Sequence, residues 1–159
     1  MGAGADLQTF SFDLHTQGAT EALAHRLGPA LKAGDCLLLD GPIGAGKTTF
    51  ARALIQGALG RLEDVPSPTF TLVQSYTGPS FDIWHCDLYR LTGADELVEL
   101  GLDDAFETAL TLIEWPDRLG ALAPDRAQHL RFEVDGESEA RRLIVHGDAR
   151  WAALREGAA

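Results

Sequence analysis

Asp35-Cys36-Leu37-Leu38-Leu39, then Asp40, then Gly41-Pro42-Ile43-Gly44-Ala45-Gly46-Lys47-Thr48, is the stretch on which the fold turns. Its first part is an apolar run with the length of a buried strand, and the part from Gly41 fits G-x-x-x-x-G-K-[ST] without a gap. From Thr49 to Leu59, the residues Phe50, Leu54, Ile55 and Leu59 recur at helical spacing. Strand, glycine loop and helix in that order form a phosphate-binding site for a backbone reason. Glycines let successive N–H groups point into one concavity, and the new helix adds its positive end, so a polyphosphate is held by amides. Gly41, Ile43, Gly44, Ala45, Gly46, Lys47, Thr48 and Thr49 are therefore the candidate nucleotide contacts. Lys47, one of two lysines in the chain beside Lys32, would neutralise the β- and γ-phosphates, and the Thr48 hydroxyl would be a magnesium ligand.

Magnesium-bound ATP also needs a carboxylate on a strand beside the loop. Two strand ends compete for that place, Asp87 after Ile83-Trp84-His85-Cys86 and Glu114 after Leu112-Ile113, with Glu114 favoured. An acid at the carboxyl end of a parallel strand faces the crevice where open α/β sheets bind ligands. Asp82, Asp103 and Asp104 read as surface acids. Thr69, in the rigid Ser67-Pro68-Thr69 segment, could place a hydroxyl near the γ-phosphate or the attacking water, and a plain turn is the other reading of that segment. His85 shares a strand face with Asp87 and reads as a core or supporting histidine rather than a base. Trp84 and Trp115 read as core or rim packing, with Trp115 able to touch a nucleotide or a partner from beside Glu114. Arg90 is a candidate for stabilising transferred charge, on equal terms with an arginine supplied by a partner.

Outward from this centre the chain alternates strands and helices. Thr9 to Leu14 alternates as a half-buried strand, and Thr16 or Thr20 could cap a helix carrying Leu23, Leu27 and Leu31 that Gly34 breaks. Phe70 to Tyr76 and Phe81 to Asp87 read as strands, Ala94 to Leu100 and Asp103 to Ala109 as short helices. Thr111 to Trp115 reads as a short buried strand ended by Pro116. Gln128 to Val134 and Arg141 to His146 read as an antiparallel hairpin joined by Asp135-Gly136-Glu137, and Trp151 with Leu154 suggests a closing helix. With no repeat and no low-complexity tract, residues 1–159 are expected to form one domain.

Bulk composition excludes several functions. Apolar residues at 45% and charged residues at 23% are ordinary for a globular protein. With no apolar run long enough to span a bilayer and no basic-then-apolar start, the expected setting is the cytoplasm, away from membranes. Cys36 and Cys86, in separate strand-like stretches, read as buried free thiols. The net charge of −11 argues against a direct grip on nucleic acid, which requires a basic stripe. The chain contains no asparagine, so the N-K-x-D element that selects guanine is absent and ATP is the expected nucleotide.

Four pieces in order carry a resemblance. Gly44-Ala45-Gly46-Lys47-Thr48-Thr49-Phe50, Ser67-Pro68-Thr69-Phe70-Thr71-Leu72-Val73, His85-Cys86-Asp87-Leu88-Tyr89-Arg90-Leu91 and Ile113-Glu114-Trp115-Pro116 together resemble the TsaE (YjeE) family. These are small bacterial P-loop ATPases of tRNA threonylcarbamoyladenosine biosynthesis, and the match runs from about Thr16 to Pro116. The resemblance implies a P-loop NTPase-like three-layer α/β sandwich, with a central parallel sheet and antiparallel edge strands. It implies that Thr48 and Glu114 are magnesium ligands and that Asp87 lies at the metal–phosphate site. It also implies that Ser67-Pro68-Thr69 belongs to a nucleotide-responsive switch. Lys47, Asp87, Glu114 and Thr69 are then the candidate catalytic residues, with ATP and Mg²⁺ as the bound groups. The implied partners are a transferase subunit and its inactive paralogue, with tRNA met only indirectly. ATP hydrolysis would reset that complex between rounds of modification, slowly without the partners. Pro42-Ile43 and Cys86 depart from the usual residues of the family without removing a ligand. A small-molecule kinase and a nucleotide-gated binding module are the alternatives. The kinase lacks the arginine-rich lid expected after Glu114, and the module would keep working without hydrolysis.

Overall fold

The computed structural model describes residues 7–42, 44–60, 73–89, 93, 95–134 and 140–157. Seven strands form one sheet: β1 (Gln8–Leu14), β2 (Cys36–Asp40), β3 (Val73–Thr77), β4 (Asp82–Asp87), β5 (Leu110–Glu114), β6 (Gln128–Val134) and β7 (Arg141–Gly147). Their order across the sheet is β1-β7-β6-β2-β5-β4-β3. The four central strands β6, β2, β5 and β4 run parallel, while β3 at one edge and β7 with β1 at the other are antiparallel. The expected α/β sandwich with antiparallel edges is borne out.

Central strands reach this arrangement because they are apolar on both faces. Along β2, Leu37 and Leu39 join one core with Phe50, Leu54 and Ile55 of α2 (Lys47–Leu59) and Leu23 and Leu27 of α1 (Gln17–Leu27). Cys36 and Leu38 face the other core, with Leu97 of α3 (Asp95–Glu99) and Leu102 and Phe106 of α4 (Leu102–Thr108). Two apolar cores on opposite sides of one sheet make the three layers. Trp151 and Leu154 of α5 (Arg150–Gly157) close the first core, with Trp151 tilted against Phe12 at 5.8 Å between centroids. Both cysteines are buried free thiols, and Asp82, Asp103 and Asp104 lie at the surface.

The element ends are set by local chemistry. Thr16 caps α1, its Oγ1 accepting from the Ala19 N–H at 3.1 Å. Leu31 lies beyond α1, in extended backbone after a 3₁₀ turn at Gly28–Ala30, because Pro29 interrupts the α-helical hydrogen bonding. The loop's helix begins at Lys47, two residues earlier than its apolar periodicity suggests, since polar Lys47 and Thr48 form its first turn. The strand expected over Phe70–Tyr76 is described from Val73 on, and the hairpin turn at 135–137 lies outside the described residues.

Helices α1 and α2 approach each other at two glycines. A Cβ on Gly57 would stand 2.7 Å from the His25 carbonyl oxygen, and one on Gly28 would stand 2.5 Å from the Ala58 nitrogen. In both cases the obstacle is backbone, which cannot swing aside. Gly57→Ala should therefore destabilise the fold by about 1–3 kcal/mol, although alanine is the better helix former by about 1 kcal/mol. A urea midpoint at or above the wild-type value would show that the two helices have room to part.

Candidate functional site

The carboxyl ends of β2, β5 and β4 are in register, with Leu39 opposite Glu114 and Glu114 opposite Asp87. This alignment sets both candidate carboxylates beside the chain that leaves β2 as the glycine loop. Gly41 opens that loop at φ +141°, and a Cβ there would stand 2.7 Å from the Phe132 carbonyl oxygen, so the position requires glycine. Gly44 and Gly46 also hold positive φ, and Gly46 ends the loop as the N-cap of α2. Ala45 is buried with the helix's core, while Thr48 and Thr49 lie half-buried in its first turn. Ile43 lies outside the described residues.

Lys47 is 5% exposed, an unusual burial for an ammonium group. Its Nζ donates to the Gly41 carbonyl oxygen at 2.7 Å and lies 3.9 Å from the centre of the Trp115 ring. Burial draws its pKa below the ordinary lysine value, against the opposing pull of Glu114, Asp40 and Asp87. Trp115 reaches this place through its backbone. Among the described residues it is the one non-glycine with positive φ, at +59°. Pro116 disfavours the right-handed helical region for it, and the left-handed turn costs about 1–2 kcal/mol. The expected strand accordingly ends at Glu114, and the indole turns over Lys47 and against Tyr89, 5.0 Å away.

Glu114 is 3% exposed and has two partners among the described residues. The Thr48 hydroxyl donates toward its carboxylate at 3.2 and 3.3 Å, and His85 Nε2 lies 2.7 Å from Oε2. Asp87 accepts from the Tyr89 N–H at 3.1 Å. Burial lifts the Asp87 pKa above the usual carboxylate value, and the neighbouring Glu114 adds to the rise against the Tyr89 hydrogen bond. The structure thus brings Lys47, Thr48, Asp87 and Glu114 to one end of the sheet. Thr69, its neighbours Ser67 and Pro68, and Arg90 lie outside the described residues.

The oxygens gathered here suit one kind of metal. Magnesium prefers hard oxygen ligands, keeps several waters and commonly takes one or two protein groups plus substrate phosphates. A Thr48 hydroxyl and a Glu114 carboxylate, with Asp87 beside them, fit that pattern. Among the described residues, no group of three or more histidine, cysteine, aspartate or glutamate side chains could hold a metal unaided.

Three contacts escape a reading of the sequence. Arg141, at the start of β7, donates through Nη2 to the Gly44 carbonyl oxygen at 3.0 Å and so ties the loop's tip to the far half of the sheet. The cation–ring contact of Lys47 and Trp115 and the His85–Glu114 hydrogen bond are the other two. All three join residues far apart in the chain, and only the face shared by His85 and Asp87 hinted at one of them.

Known proteins resemble this chain over most of its length. The model of the family described as threonylcarbamoyl adenosine biosynthesis protein TsaE matches residues 14–144. The tRNA threonylcarbamoyladenosine biosynthesis protein TsaE of Rickettsia bellii is 42% identical over 111 residues, spanning 70% of this chain and 77% of that protein. The protein of the same name from Streptomyces coelicolor is 38% identical over 140 residues, spanning 82% and 92%. A crystal structure of Bacillus subtilis YdiB has the same fold, with a TM-score of 0.73 and 25% identity over 96% of this chain and 95% of that one.

Proposed function

Because this chain belongs to the TsaE family of tRNA threonylcarbamoyladenosine biosynthesis, we propose that it is the ATPase subunit of that modification, its hydrolysis resetting a partner transferase complex. One observation carries the chemistry. Lys47 and Thr48 leave the glycine loop side by side, and Glu114, at the end of the adjacent parallel strand, lies 3.2 Å from the Thr48 hydroxyl. On this reading the loop amides and Lys47 bind the triphosphate, and Thr48 and Glu114 hold the magnesium ion. That ion supplies neutralisation of charge on the β- and γ-phosphates. Asp87, at the end of the strand beside Glu114, would receive a proton from the attacking water. Thr69 orients that water or the γ-phosphate from the switch segment.

The acidic chain leaves the tRNA to its partners, the transferase subunit and its inactive paralogue. No helix among the described residues is long and apolar enough to cross a membrane, in keeping with cytoplasmic work. ATP turnover should be slow for the purified protein and rise when both partners are added, in step with repeated rounds of tRNA modification. Rapid turnover without partners, or unchanged modification when this protein is left out, would overturn the proposal.

A further inference from the structure

His85 has no solvent exposure, yet among the described residues only one of its ring nitrogens has a partner. Nε2 lies 2.7 Å from Glu114 Oε2, whereas Nδ1 is buried with no hydrogen bond. An ionised carboxylate only accepts, so Nε2 carries the proton and donates. Leaving Nδ1 unpartnered still costs about 1–3 kcal/mol, which an apolar side chain of similar size would avoid.

From this juxtaposition we propose that His85 is the positioning residue for Glu114, holding its carboxylate turned toward Thr48 of the glycine loop. The proposal rests on the magnesium–ATP reading above. Glu114 Oε2 is held by the imidazole, and both carboxylate oxygens lie within reach of Thr48 Oγ1 on the loop side, at 3.2 and 3.3 Å. Without the imidazole, the carboxylate could rotate about its last torsion, which is broad for glutamate. A lysine or arginine in the same place would hold Glu114 as firmly but cancel the charge that a cation needs. The imidazole instead orients the ligand through a single hydrogen bond to one oxygen. Partners of this kind alter metal affinity by about 10- to 100-fold.

The test is manganese binding, followed by electron paramagnetic resonance, to the protein loaded with the non-hydrolysable analogue AMP-PNP. His85→Leu should bind manganese about 10- to 100-fold more weakly. Its melting temperature should stay near the wild-type value, relief of the unpartnered Nδ1 offsetting the lost hydrogen bond to Glu114, and its affinity for AMP-PNP without metal should not change, a split that a merely structural role would not produce. His85→Gln, whose amide nitrogen can occupy the place of Nε2, should recover most of the loss. Manganese affinity within about twofold of wild type in His85→Leu, or no recovery in His85→Gln, would sink the proposal. Should His85→Leu fail to fold, nitrogen NMR of the wild-type imidazole decides, since a proton on Nδ1 rather than Nε2 contradicts the assignment. If Glu114→Gln loses manganese while His85→Leu does not, the magnesium–ATP reading stands and only His85's role falls. If the wild-type complex binds no manganese, both fall together.

Discussion

Lys47→Ala is expected to abolish productive ATP binding, with a loss of at least about 100-fold in affinity. The ammonium is nearly buried and pinned between the Gly41 carbonyl and the Trp115 ring, at the foot of the loop whose amides would line the phosphates. Charge-assisted hydrogen bonds contribute about 1.5–3 kcal/mol each, so two phosphate contacts account for a hundredfold or more. No second lysine can stand in. Lys32 precedes β2, at the opposite end of that strand from the loop. Stability should hardly change, because alanine is a good helix former at the first position of α2 and a buried ammonium is itself costly. Titration calorimetry with ATP and magnesium checks the affinity, and thermal melting checks the fold. Wild-type affinity in a folded Lys47→Ala protein would remove the ammonium from the phosphate site.

Glu114→Gln should leave ATP binding without magnesium within a few-fold of wild type and cut hydrolysis by at least about 100-fold, since metal stabilisation of phosphoryl transfer is worth several kcal/mol. Glutamine is the informative change. Its carbonyl can still accept from His85 Nε2 and its amide can still meet the Thr48 hydroxyl, so the buried hydrogen bonds survive and only the charge is lost. Alanine would add the cost of two orphaned partners and confuse folding with chemistry. The diagnostic measurement is turnover against magnesium concentration. A curve in Glu114→Gln that saturates where the wild-type curve does would refute the assignment of Glu114 to the metal.

Those residues could be read from the chain because their signals are local. Strand β2 announces itself as Cys36-Leu37-Leu38-Leu39, the loop by its glycines and lysine, and α2 by the spacing of Phe50, Leu54 and Ile55. Glu114 and Asp87 stood out as acids closing apolar strands, and their shared register turns that pattern into proximity. What stayed hidden depends on sheet order. Arg141 opens an expected strand beside Arg142, and nothing near it in the sequence points to Gly44, 97 residues away in the chain. The left-handed turn at Trp115 was hidden for a different reason. Pro116 marks the strand's end but not which way the indole will point, which is settled by Lys47 and Tyr89 coming from elsewhere.

Strand β2 is bonded along both edges, by β5 on one side and β6 on the other. A truncated protein ending just after Pro116 would contain every motif of the family resemblance and still be a poor reagent. It would expose a row of open amides and carbonyls beside Leu37, Leu38 and Leu39, a template for strands of other molecules. Expression of such a fragment should yield insoluble material, so the smallest workable piece of this protein extends through β7, well past its last recognisable signature.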